Sequence, residues 1–239
     1  IWIVFADTSG ISERIFHNID TRNFILTYND YVKDQQMDKN KVINDFNNFI
    51  SQNQNKECNI AYFWGIESHK VNVKTKRNID YCKDLCISLP LLITQKMIQR
   101  GDCSISFFTQ NTQLIDNNNI ELRFLFQSLL WGFAKTLSLE NPSIIKGIID
   151  VPFIPVDDEI KKIQKLIINT PLAKFLTIRN NEINTIKIKK YAFPSNDQYD
   201  IPPNSTYLIT GGTGFIGFHI AKWLAGKGAK NIILTSRNT

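Results

Sequence analysis

The sequence predicts an α/β protein, and three observations carry that prediction. Short apolar runs such as WIVFA at 2–6 alternate with segments whose apolar residues recur at helical spacing. Those runs are apolar at successive positions, as expected of strands covered on both faces. A glycine-rich string, ITGGTGFIG at 209–217, joins a further strand to a helix.

The elements follow in order. Trp2–Ala6 is the first strand, Asp7 to Gly10 turn the chain, and Ile11–Ile19 reads as a helix. Phe24–Tyr28 is a second strand. Asp38 caps the helix after it, where Val42, Phe46, Phe49 and Ile50 recur three and four residues apart. Ile60–Trp64 is a third strand ending at Gly65, and 66–78 is polar and irregular. A long helix covers Ile79–Gln99, with Pro90 inside or breaking it. Ser104–Thr109 is a strand and 111–119 a polar loop. Leu122, Leu125, Phe126, Leu129, Leu130, Phe133 and Leu137 form an amphipathic stripe that ends near Asn141-Pro142. Its aromatic and leucine content marks core rather than a partner surface. Ile144–Val151 is a strand, Asp157–Ile168 a helix, and Phe175–Arg179 with Ile183–Lys187 a hairpin around NNE. The IKIKK run at 186–190 alternates like a half-exposed strand. Three prolines in PSNDQYDIPPNS, 194–205, mark a linker. Then come the strand Thr206–Thr210, a helix Phe215–Ala225 and the strand Asn231–Thr235. The organisation expected is therefore an α/β layer over 1–193, a linker at 194–205 and a single β-α-β unit over 206–239.

Of the 239 residues, 43% are hydrophobic and 21% charged, enough for an ordinary core. No apolar run reaches the roughly 18 residues of a membrane span. The net charge of +6 is spread over scattered lysines, and no aromatic-plus-basic motif accompanies it, so neither nucleic acid nor membrane is expected as a partner. The opening residues read as a strand within a longer polypeptide, not as a signal peptide. Cys58, Cys82, Cys86 and Cys103 form no CxxC pair. Cys82 and Cys86 share a helix face, which fits reduced, buried thiols. His17, His69 and His219 have no companions for a triad or a metal site, so no metal is expected.

The string GTGFIG satisfies G-x-G-x-x-G, and its context strengthens it, since it follows a strand and opens a helix within a β-α-β unit. Gly212 permits the tight turn, Gly214 lets backbone approach a pyrophosphate, and Gly217 lets helix and strand pack. The helix N-terminus adds free N–H groups and a positive dipole end. Thr210, Gly211, Gly212, Thr213, Gly214, Phe215, Ile216 and Gly217 are the expected cofactor loop. An NAD site ends its second strand with Asp or Glu, but this chain has Ser236 and Arg237, and no acidic residue occurs from Asn204 to Thr239. Arg holds phosphate by paired hydrogen bonds and stays charged. The expected cofactor is NADPH. The loop Gly10-Ile11-Ser12 lacks glycines for close approach and is not expected to take a nucleotide.

At these residues the chain resembles the ketoreductase region of modular and iterative polyketide synthases, which is related to animal-type fatty acid synthase. Five separated segments carry the likeness in order: WIVFADTSGISERI, LLWGFAKTLSLENP at 129–142, IIKGIIDV, FLTIRNNEI and YLITGGTGFIGFHIAKWLAGKGAKNIILTSRN. Lys135 stands where the family usually has Arg, and Phe215-Ile216 where it commonly has Gly-Leu. The resemblance implies a Rossmann-like, truncated and non-catalytic structural subdomain, followed by the first β-α-β unit of a second Rossmann fold of the short-chain dehydrogenase/reductase type. It implies that the loop and the Ser236–Arg237 pair hold NADPH, and that hydride goes to a β-ketoacyl thioester on an acyl carrier protein. It also implies other synthase domains in the same polypeptide and a cytoplasmic location. The family's active-site Lys, Ser, Tyr and Asn fall beyond Thr239, so no catalytic residue is expected in this chain and no turnover from it alone. Two alternatives stay open. An extended reductase of epimerase or thioester-reductase type would be followed by Tyr-x-x-x-Lys rather than Tyr-x-x-x-Asn. A structural module with a vestigial loop would bind no NADPH.

Overall fold

The computed structural model describes residues 1–17, 19, 23–72, 74–115, 121–169, 174–187, 189–191, 201–202 and 204–237. The chain divides into two compact units, Ile1–Lys187 and Ile188–Thr239. Much of the 194–205 linker segment lies outside the described residues.

The first unit is built on β1 (Trp2–Ala6), β2 (Asn23–Thr27), a small hairpin β3 (Val32–Lys33) and β4 (Gln36–Met37), β5 (Cys58–Tyr62), β6 (Cys103–Gln110), β7 (Ile145–Val151), β8 (Lys174–Arg179) and β9 (Glu182–Thr185). Its main sheet runs β2-β1-β5-β6-β7-β8-β9. The first six strands pair in parallel, and β9 returns antiparallel. The helices are α1 (Ile11–Phe16), α2 (Lys39–Gln52), α3 (Lys76–Lys83), α4 (Leu89–Arg100), α5 (Ser128–Glu140) and α6 (Asp157–Asn169).

Strand alternation sorts the apolar side chains to two faces. Ile3 and Phe5 of β1, Ile60 and Tyr62 of β5, and Ile105 and Phe107 of β6 enter one core. It is completed by Val42 and Phe46 of α2, Ile93 and Met97 of α4, and Leu130 and Ala134 of α5. Trp2, Val4, Ala61 and Phe108 enter the other, against Ile15 of α1 and Ile160, Ile163 and Ile167 of α6. Burial on both sides is why β1 reads as a continuous apolar run, whereas β6, buried along its whole length, also carries the buried polar residues Ser104, Ser106, Thr109 and Gln110.

Caps follow side-chain chemistry. Asp38 accepts from the Lys41 N–H at 2.9 Å at the start of α2. Glu159, in the first turn of α6, accepts from the Val156 N–H at 3.0 Å and from the Asn181 N–H at 3.1 Å, so one buried carboxylate fixes both the helix start and the β8–β9 turn. That turn is two residues, Asn180 and Asn181, with φ of 50° and 62°. Asparagine tolerates the left-handed region that a tight hairpin of this hand demands.

Several expected boundaries move. The first helix stops at Phe16 rather than Ile19. Trp64 does not end a strand but opens a 3₁₀ run, Trp64–Lys70, so 66–70 is helical where an irregular stretch is expected; Gly65, Ile66, Glu67 and Ser68 are buried in it. The long helix spans Lys76–Arg100 and keeps Pro90 inside, because a widened π turn at Asp84–Ser88 precedes the proline. The hairpin's second strand ends at Thr185, and Ile186 and Lys187 lie outside any strand.

The second unit holds β10 (Thr206–Thr210), α7 (Phe215–Gly226) and β11 (Asn231–Thr235), with β10 and β11 parallel from Thr206↔Asn231 to Thr210↔Thr235.

Candidate functional site

The loop from β10 into α7 is built by backbone bonds that glycine permits. Gly211 takes φ 67°, so the left-handed turn falls there rather than at Gly212. The Gly214 N–H donates to the Gly211 carbonyl at 3.0 Å, closing the turn, and the Gly212 N–H donates to the Thr235 carbonyl at 3.0 Å, tying the loop to the end of β11. Gly217 lies in the first turn of α7 against this loop; a Cβ there would sit 2.5 Å from the Gly211 carbonyl oxygen and 2.6 Å from Gly212 Cα. Any side chain would push helix and loop apart.

The result is an open groove of about 690 Å³ lined by Thr210, Gly211, Thr213, Gly214, Thr235, Ser236 and Arg237. Six of the ten residues named from sequence therefore meet on one surface. Gly212 and Gly217 lie buried beneath it, while Phe215 and Ile216 are 82% and 73% exposed and line none of it. Sequence reading missed Thr235. Its signal was the strand register, which sets Thr235 opposite Thr210.

No side chain caps α7. Its first-turn amides have no intrahelical acceptor and leave a positive dipole end at the groove. Arg237 adds a full positive charge, and no carboxylate between Asn204 and Thr239 offsets it. A cradle that a Cβ would fill, uncapped amides and a guanidinium together fit a phosphorylated dinucleotide.

The loop after β1 spends the same kind of donors differently. The Asp7 carboxylate accepts from the N–H groups of Ser9 at 3.0 Å, Ile11 at 3.2 Å and Ser12 at 2.8 Å. Glu67, buried in the 3₁₀ run, accepts from the Thr8 N–H at 2.7 Å and pairs with Lys70 at 2.9 Å. The strand order reverses between β1 and β5, where doubly wound sheets commonly bind ligands. Here the chain's own carboxylates take those amides.

The histidines do not converge. His69 is held by the Ile66 carbonyl and lies between Phe124 and Phe153, while His219 lies against Phe215. Among the described residues no group of three or more His, Cys, Asp or Glu is arranged to hold a metal ion. No helix among them is long and apolar enough to cross a membrane.

The chain is thus a mostly parallel α/β layer followed in sequence by a β-α-β unit with a glycine cradle. Residues 205–239 match the KR domain family. Polyketide synthase GfsA of Streptomyces halstedii is 29% identical over 46% of this chain and 2% of its own length. The pikromycin polyketide synthase component PikAIII of Streptomyces venezuelae is 28% identical over 47% of this chain and 7% of its own. The 6-methylsalicylic acid synthase of Aspergillus terreus is 28% identical over 62% and 8%. The chain thus spans a small part of these relatives. Among solved structures, the first ketoreductase of the tylosin polyketide synthase matches with a TM-score of 0.66 at 18% identity, covering 99% of this chain and 48% of that one. A-type ketoreductases from a modular polyketide synthase match at 0.65 and 19%, with the same coverage. In sequence and in fold the chain is thus similar to the ketoreductase region of polyketide synthases.

Proposed function

We propose that this chain supplies the structural subdomain, residues 1–193, and the opening of the catalytic subdomain, residues 206–239, of an NADPH-dependent β-ketoacyl reductase. The reading rests on one observation: Thr210, Gly211, Thr213 and Gly214 of the glycine loop and the pair Ser236–Arg237 line a single groove. NADPH, when bound, supplies the hydride that reduces the β-keto group of an acyl thioester on an acyl carrier protein. Gly214 lets the chain come close to the pyrophosphate, and the first-turn amides of α7 donate to it. Gly212 and Gly217 keep the loop packed so that those amides stay aimed. Ser236 and Arg237 hold the 2′-phosphate, with Arg237 the discriminating group. The groups that protonate the forming alkoxide are not among these residues and belong to chain beyond Thr239.

The test is a titration of the complete reductase with NADPH and with NADH. Arg237→Ala is expected to weaken NADPH binding by about tenfold or more, since a hydrogen bond to a charged group contributes ~1.5–3 kcal/mol, and to leave NADH binding unchanged. Equal affinity for the two nucleotides, unaltered by Arg237→Ala, removes Arg237 from the site.

A further inference from the structure

Of the four cysteines, all free and buried, two are helix residues and two are strand residues. Cys82 and Cys86 face the core from the α3–π segment, and burial pushes both thiols up, Cys82 to about 11. Cys58 and Cys103 are placed differently. They are the first residues of β5 and β6 and register partners across the parallel ladder. Both side chains enter the same core face. Paired positions on neighbouring strands lie ~4.8 Å apart, inside the ~4.4–6.8 Å window of disulfide-linked Cα atoms. The pair is at the rim of the sheet, directly after Asp102, whose side chain is 42% exposed.

We propose that Cys58 and Cys103 are a two-electron oxidation site that closes to a reversible cross-strand disulfide when the chain meets a hydroperoxide.

Their surroundings divide the labour. The neighbouring Cys58 thiol lowers Cys103, and the nearby Arg100 guanidinium lowers it further, against burial and the Asp102 carboxylate to which the Cys103 thiol donates at 3.8 Å. The same neighbour relation raises Cys58, with burial. Cys103 is the attacking sulfur, because the thiolate is the nucleophile. It displaces hydroxide from hydrogen peroxide: an S–O bond forms, the O–O bond breaks, and the hydroxide leaves as water with the proton that Cys103 gave up. Cys58 then attacks the Cys103 sulfenic acid. The S–S bond forms, the S–O bond breaks, and a second water carries off the Cys58 proton. Two thiols are oxidised by two electrons, and one peroxide becomes two waters. In-register parallel partners hold their Cβ atoms wider than a relaxed disulfide prefers, so the bond is strained and readily reduced.

The experiment uses the whole chain, folded and reduced. It is exposed to hydrogen peroxide, then alkylated and digested with trypsin without reductant. The expected product links peptides 57–70 and 101–123, disappears on adding dithiothreitol, and leaves Cys82 and Cys86 alkylated. In Cys58→Ser, dimedone is expected to label Cys103. In Cys103→Ser, no dimedone adduct is expected at Cys58. A disulfide through Cys82 or Cys86, or full alkylation of Cys58 and Cys103 after peroxide, overturns the proposal in the wild-type chain whatever the variants do.

Discussion

Pro90 has no N–H to donate, and the consequence reaches a neighbouring strand. In the π turn the Leu89 N–H bonds back to the Asp84 carbonyl. The Leu85 carbonyl would next accept from residue 90, which is proline. It accepts instead from the Tyr62 hydroxyl of β5 at 2.6 Å, and both groups are buried. A strand phenol thus satisfies the acceptor that an intrahelical proline orphans. Tyr62→Phe is expected to cost ~1–3 kcal/mol, the penalty for a buried polar group left unpaired. Urea unfolding at neutral pH measures it. The cost should shrink in a Pro90→Ala background, where the restored N–H can reach the freed carbonyl; an equal cost in both backgrounds would break the link drawn between the two residues.

The segment before α5 shows how an element's period decides which residues matter. An α-helical stripe from Leu122 predicts that Leu122 and Leu125 are core. The structure instead winds Leu122–Gln127 as a 3₁₀ run and begins α5 at Ser128. At three residues per turn, Phe124 and Gln127 point inward, and Leu122 and Leu125 are left 83% and 53% exposed. Phe124→Ala is therefore expected to destabilise by ~3–5 kcal/mol, while Leu122→Ser stays within ~0.5 kcal/mol. Thermal or urea melts of the two variants distinguish the periods, and a larger loss at Leu122 would restore the α-helical reading. This segment also marks the limit of what sequence discloses. β1 is legible because burial on both faces writes it as an apolar run, and β5, β6 and β7 are legible from their apolar and β-branched content in short runs. The turn at 180–181 is legible through its asparagines, and the glycine loop through its spacing and its strand-to-helix context. Trp64–Lys70 is not legible, because its polar Glu67 is buried with the help of a partner distant in sequence, Thr8, whose N–H and hydroxyl both donate to it. Likewise, Ser236 and Arg237 could be named from their place after a strand. Thr235 enters the groove only once the register of β10 with β11 is known.

The first unit as a whole keeps an unusual store of protons. Burial raises Tyr62, Tyr81, Cys82 and Cys86, with Cys82 reaching about 11. Unfolded, a cysteine loses its proton near ~8.5 and a tyrosine near ~10. Above about pH 9 the unfolded chain therefore sheds protons that the folded chain retains. Fewer protons bound in the unfolded state means that stability falls as pH rises. Each group adds at most ~1.4 kcal/mol per pH unit, and only between its unfolded and folded values. Cys103 and Lys146 are lowered and work the other way, since the folded chain releases those protons first. Tyr31 and Cys58 are raised as well, so six raised phenols and thiols outweigh two lowered groups, and for Cys82 the window is about pH 9 to 11. The reduced chain's urea midpoint is expected to hold steady from pH 7 to about 8.5 and then drop steeply by pH 10.5. Cys82→Ala removes one of the titrating thiols and should make that drop shallower at unchanged midpoint order, alkaline below neutral. A midpoint that is flat or rises from pH 9 to 10.5 would mean that these phenols and thiols reach water in the folded chain, and that the core around the α3–π segment is open rather than packed.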